Sequence, residues 1–255
     1  MVETRYVRET ADNWLRVRVE DGGNTRGRPS YIGPAPTPGR DISLPYGLKV
    51  SLAETQGRRD VFEILEGVNI GARASVGHDT GGQSYLTTAI SHRPAGTATF
   101  KRDAQQLYFG GMGPYNAFTG GEFTSGGHHF TPVPLGTYKL AIPAFPSEQT
   151  RSEYGQWAKY HKSWFRLGLD VSNDRFLHTG TISEGCVTVR PFVFDPSAGQ
   201  QPPRGFTDLP RLPPQAIGVP LSRTRAPVIS WDDIYNYFIL VRAGDHQSVG
   251  TVTVM

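Results

Sequence analysis

The chain has 255 residues, 37% hydrophobic and 11% aromatic, with a net charge of +3. That is enough apolar material for a core in one large domain or two small ones. The 30 glycines and 20 prolines stay below the level of a disordered chain and point to many turns and short strands. Basic residues are scattered, with no Lys/Arg block, aromatic–basic RNA motif or helix-turn-helix pattern, so nucleic-acid binding is not indicated. No apolar run approaches the ~20 residues of a membrane helix, and a single cysteine makes no internal disulfide.

The opening "MVETRYVRETADNWLRVRVE" is charged and lacks an apolar h-region, so it does not read as a Sec signal peptide. "RGRPSYIGPAPTPGR" (26–40) is a Pro/Gly loop. Apolar and polar residues then alternate in short runs, which predicts strands over 48–54, 60–67, 85–90, 97–101, 106–110, 137–142, 164–170, 186–190, 237–242 and 250–255. Two short helices are expected, "SEYGQWAKYHKS" (152–163) and "SWDDIYNY" (230–237). Ser230 would cap the second, with Asp232 and Asp233 in its first turn. The turn-rich breaks "VGHDTGG" and "SHRPAG" place a boundary near 80–95, giving a β-rich region over 1–92 and a second unit over 93–255. The Pro-rich stretch 194–227 is either a wall or lid over a site, or a surface insertion without a role.

The only cysteine lies in "FLHTGTISEGCVTVR" (176–190), with His178 eight positions before it. In a strand over "CVTVR", Val187 and Val189 face the core, so Cys186, Thr188 and Arg190 share the other face. A thiol beside a hydroxyl and a guanidinium is a poor match to a buried structural cysteine. Gly185 allows the backbone to sit close to a bound group, and free N–H groups at such a turn suit an oxyanion. Phe176 and His178 share a face, and the short connection brings His178 beside Cys186. An adjacent imidazole lowers a thiol's pKa and serves as its general base.

This stretch resembles the active site of the L,D-transpeptidase (YkuD-like) family: a histidine, a spacer, then Ser/Thr-His-Gly-Cys and a hydrophobic strand. Here it reads His178, a spacer, and Ser183-Glu184-Gly185-Cys186-Val187-Thr188. "TPVPLGTYKLAIP" (131–143) is similar to the family's "TPxGTYxI" strand, and "GTATFKRDAQQLYFGGMGPYNAFTGG" (96–121) to its opening hairpin. The spacer is shorter than the family's, and Glu184 replaces its second histidine. The short spacer is similar to a compact branch that includes peptidoglycan-targeting effectors of type VI secretion systems, which lack signal peptides; Glu184 leaves no role to carry over from the second histidine.

The resemblance implies a mainly β protein with an L,D-transpeptidase-like sandwich or barrel over 93–255. It implies Cys186 as nucleophile and His178 as base, with Ser183, Gly185 and Arg190 in substrate or oxyanion contacts. It implies no metal or organic cofactor, peptidoglycan stem peptides as substrate, an immunity protein or secretion carrier as partner, and action in the periplasm or wall after non-Sec export. The alternative is a non-catalytic wall-binding or structural protein on the same fold.

Other chemistries fit less well. His128 and His129 in "SGGHHF" have no HExxH or Cys cluster to complete a metal site. NlpC/P60-like peptidases place the cysteine before the histidine, at a helix start. The only later histidine is His246, and "CVTVR" is a poor helix start. "LRVRVE" and "LPYGLKV" resemble bacterial SH3-like modules; the alternative is a β extension packed on the second unit.

Overall fold

The computed structural model describes residues 3–26, 28–120, 123–125, 128–150, 154–155, 158–180, 183–190 and 230–255. The Pro-rich stretch 194–227 and the capping side chain of Ser230 lie outside them. The chain is mainly β. Seven strands come first: β1 (Glu3–Val7), β2 (Trp14–Glu20), β3 (Asp41–Pro45), β4 (Lys49–Gln56), β5 (Arg59–Ile64), β6 (Arg73–Gly77) and β7 (Leu86–Thr87). They form one sheet in the order β3-β2-β6-β5-β4-β1-β7. β2 shows why: Leu15, Val17 and Val19 are buried while Arg16 and Arg18 are exposed, the period-2 pattern of a sheet with one wet face.

The remaining strands are β8 (Arg93–Pro94), β9 (Gly96–Lys101), β10 (Gln106–Phe109), β11 (Met112–Phe118), β12 (Phe123–Ser125), β13 (His128–Phe130), β14 (Gly136–Ala141), β15 (Phe165–Arg166), β16 (Phe176–Thr179), β17 (Val187–Val189), β18 (Val241–Arg242) and β19 (Ser248–Val254). Eight of them form a second sheet, β14-β19-β9-β10-β11-β17-β16-β15. Its ends nearly meet. A bridge pairs Leu140 with Leu167, and Gly168 N–H donates to the Lys139 carbonyl at 2.7 Å. The sheet is thus a nearly closed barrel, which removes most exposed edge.

The helix α1 (Ser230–Phe238) packs against this sheet. Trp231, Ile234, Tyr235 and Phe238 are fully buried, one helical face at i, i+3, i+4 and i+7. Three of these rings surround Phe165 at centroid distances of 5.8–6.3 Å. Glycine lets the helix end sit close: a Cβ on Gly96 would lie 2.8 Å from Tyr237 Cε1, and one on Gly110 2.4 Å from Tyr237 Cε2.

The two sheets share one continuous buried cluster running from Val7 to Val254. A buried ion pair ties them. The Glu66 carboxylate takes hydrogen bonds from Arg242 Nε at 2.8 Å and the Lys49 N–H at 3.1 Å. Arg242 spends its other nitrogens on the carbonyls of Ile239, Val241 and Gly47.

Four sequence expectations need correction. The strand expected over 85–90 is only Leu86–Thr87. The described residues of 152–163 are not α-helical: Tyr154 and Gly155 lie in a 3-10 turn and 159–162 in turns. The reason is an outside acceptor: the Asp232 carboxylate accepts from the N–H groups of Lys159 and Tyr160, and Trp231 Nε1–H donates to the Tyr160 carbonyl. The expected strand over 237–242 shrinks to Val241–Arg242, because α1 runs on to Phe238. The strand over 164–170 is only Phe165–Arg166, stopped where Gly168 turns to a φ of +99°.

Candidate active site

β15, β16 and β17 form the end of the barrel sheet that carries the cysteine segment. β16 and β17 run parallel, with Leu177 opposite Val187 and His178 opposite Thr188. Leu177, Val187 and Val189 are fully buried, on the parity of Phe165, whose ring meets α1. His178 and Thr188 share the opposite face, joined by a hydrogen bond of 3.1 Å. Cys186 lies one pair further along that face, beside Phe176, whose N–H donates to Sγ at 3.4 Å. Thr188, rather than Cys186, therefore stands directly across from His178, and no hydrogen bond joins the thiol to the imidazole among the described residues.

The tautomer of His178 follows from its partners. Nδ1 lies 2.8 Å from the Thr179 carbonyl, which only accepts, so Nδ1 carries the hydrogen. Nε2 then accepts from the Thr188 hydroxyl. Trp164 stacks on the ring at 4.3 Å. Burial pushes the imidazole down to about 4, against the smaller pull of the Thr179 carbonyl. Burial likewise pushes the Cys186 thiol up to about 11, with the Phe176 N–H opposing. Both groups are neutral near pH 7. The lowered thiol pKa expected from an adjacent imidazole is not found here, because desolvation outweighs the neighbours.

The turn before Cys186 is closed by Ser183, whose hydroxyl donates to the Cys186 carbonyl at 3.0 Å. Ser183 is buried and Glu184 exposed. Gly185 has φ +86°, and its Cα faces the Thr131 carbonyl so closely that a Cβ would lie 2.4 Å from that oxygen. Thr131 also accepts a 3.1 Å hydrogen bond from Arg175 through its hydroxyl. The segment beginning at 131 therefore packs onto the cysteine turn. Replacing Gly185 by alanine combines strained backbone with a clash against main chain. It is expected to lower the unfolding free energy by about 1–3 kcal/mol, read as a reduced urea midpoint at unchanged slope; an unchanged midpoint would show that the turn yields freely.

Thr131 and Pro132 also line an open cleft with Thr119, Gly120, Arg102 and Gln105. β11 pairs with β17 through Ala117 and Val189, which brings the end of the 96–121 segment alongside. Arg190 is half-buried, with its guanidinium 4.7 Å above the Phe118 ring. Comparison with protein-family models, curated proteins and solved structures gives no match. Among the described residues, no group of three or more His, Cys, Asp and Glu side chains gathers as a metal site, and no helix is long and apolar enough to cross a membrane.

Sequence reading missed Arg166. It is paired with Phe176 across β15 and β16, lies over that ring at 5.4 Å, and is 8% exposed. The available signal was its setting: an arginine flanked by Phe165 and Leu167 on a strand sharing parity with Trp164.

Proposed function

We propose that the protein is a cysteine-dependent acyl-transfer enzyme of the L,D-transpeptidase type, acting on peptidoglycan stem peptides. One observation carries this reading. Three segments far apart in sequence, 96–121, 131–143 and 176–190, meet around Cys186 and His178 through the β11–β17 pairing and the Thr131–Gly185 contact.

In this chemistry Nε2 of His178 receives the thiol proton, and the thiolate attacks the carbonyl of the third stem residue. The C–N bond to the terminal D-alanine breaks, the departing amine takes the proton, and a thioester remains on Cys186. An amine of a second stem, a free D-amino acid or water then releases the acyl group, giving a crosslink, an exchanged residue or a shortened stem. The reading extends to an antibacterial effector reaching the wall by a non-Sec route.

A second reading has an observation of its own. The neutral Cys186 and His178, each hydrogen-bonded to backbone, also suit a wall-binding protein without turnover. Mass spectrometry of muropeptides separates the two. Wild-type protein is expected to shorten, exchange or crosslink tetrapeptide stems, and Cys186→Ala to leave them unchanged. Identical muropeptides from both, under conditions where an active L,D-transpeptidase works, would sink the enzymatic reading and leave the binding one.

A further inference from the structure

We infer that Arg166 is a carboxylate-binding residue on the Cys186 face, which assigns to this site a ligand carrying a free carboxylate. Arg166 is more than nine-tenths buried, and its Nε has no hydrogen-bond partner among the described residues. Among the described residues its only specific contact is the Phe176 ring. The exposed Asp170 and Asp174 act on it through space without forming an ion pair.

Burying an unpaired charge costs several kcal/mol. Among the described residues, the one other arginine this deeply buried is met: Arg242 reaches Glu66 and three carbonyls. Even the half-buried Arg28 is spread over the carbonyls of Gly33, Ile70, Ile32, Pro34 and Val68. Arg166 is held without such partners among the described residues, which leaves it open to a bound acceptor.

Its location says where that partner would sit. Arg166 lies opposite Phe176 in register, so it shares a face with Phe176, His178, Thr188 and Cys186. Arg190, just past β17 and on the parity of Thr188, also has no ion pair among the described residues and is stacked on Phe118. Each guanidinium has one flat side against an aromatic ring, leaving its N–H edge for a planar acceptor. A carboxylate matches that fork with two parallel hydrogen bonds.

The inference rests on the Cys186 face being where substrate binds, but its test needs no turnover. Binding of N-acetyl-L-alanyl-D-alanine and of its C-terminal amide is measured by titration calorimetry or NMR, with inorganic phosphate as a third probe. The wild type is expected to bind the acid at least about tenfold more tightly than the amide, and Arg166→Gln to lose that preference. Arg166→Lys loses most of it, since an ammonium cannot make the paired bonds. Because Arg166→Gln removes a buried unpaired charge, its melting temperature is expected to rise or hold. Should it fail to fold, Arg190→Gln, which is less buried, provides a second reduction in acid preference. Equal binding of acid and amide, unchanged preference in the Arg166 variants, or phosphate binding as tight as the acid each overturns the assignment. Retained acid preference in Cys186→Ala, together with unaltered muropeptides, keeps the carboxylate site and removes only the acyl-transfer reading.

Discussion

Glu66→Ala is expected to lower the unfolding free energy by about 3–5 kcal/mol, a large share of the ~5–15 kcal/mol typical of a domain. The cause is what remains behind. Arg242 would keep its carbonyl contacts but lose the only carboxylate it meets among the described residues, leaving a cation buried at the junction of the two sheets. The Lys49 N–H would also lose its acceptor. Glu66→Gln keeps an oxygen for that N–H and is expected to cost less. The double change Glu66→Leu with Arg242→Met removes both charges and is expected to recover most of the loss. Urea unfolding of the four proteins gives the comparison. A Glu66→Ala cost below 1 kcal/mol, the range of a surface pair, would refute the buried-pair account.

Acid is expected to destabilise the protein through His178. Its imidazole is pushed to about 4 in the fold from an ordinary value of 6.5. Between those values the unfolded chain binds a proton that the native state refuses, so stability rises with pH across the window. Read downward, stability is complete above about 6.5 and falls by roughly 3 kcal/mol by about pH 4. His92, whose pKa is lowered by burial and by the Arg242 charge, adds in the same direction. His178→Gln should therefore reduce the acid slope without abolishing it. Urea midpoints at pH 7 and pH 4.5 for both proteins test this, and equal slopes would show that His178 does not hold the refused proton.

Several strands with one apolar face were legible in the sequence, although β2, which alternates cleanly, was not among those expected. β9 alternates buried and more exposed positions over Gly96–Lys101, and β14 and β19 were found within two residues of their ends. α1 was readable because Trp231, Ile234, Tyr235 and Phe238 keep helical spacing behind two acidic residues. The stretch 152–163 has helix-forming composition but yields to Asp232, a partner some 73 residues away that no local window contains. At the candidate site, parity placed Cys186 with Thr188 and Phe176 with His178; that the two pairs share one face comes from the β16–β17 register. Parity did not give the parallel pairing, because alternation gives the face of a residue and not the direction of its neighbour. The raised thiol pKa was equally hidden, since it depends on how much protein covers the sulfur. For Arg166 the apolar flanks hint at burial, but its lack of a partner among the described residues is defined by what fails to surround it.

The parallel pairing of β16 and β17 changes what the spacer between histidine and cysteine means. Thr179 and Val187 are two residues apart in register, a gap of about 8 Å from strand rise and spacing. The connecting chain could span about 27 Å if extended, so it is slack. Ser183 and the left-handed Gly185 take up that slack as a closed turn. The relation of His178 to Cys186 is held by the ladder, and the connection only has to return. Insertions before Ser183 should leave the pair in place, since doubling a loop adds only about 0.6 kcal/mol of closure entropy. A single-residue slip within β17 would instead exchange the thiol and hydroxyl for the two valines. Across chains built this way, the distance in sequence between the two residues is free to drift, while strand register is not.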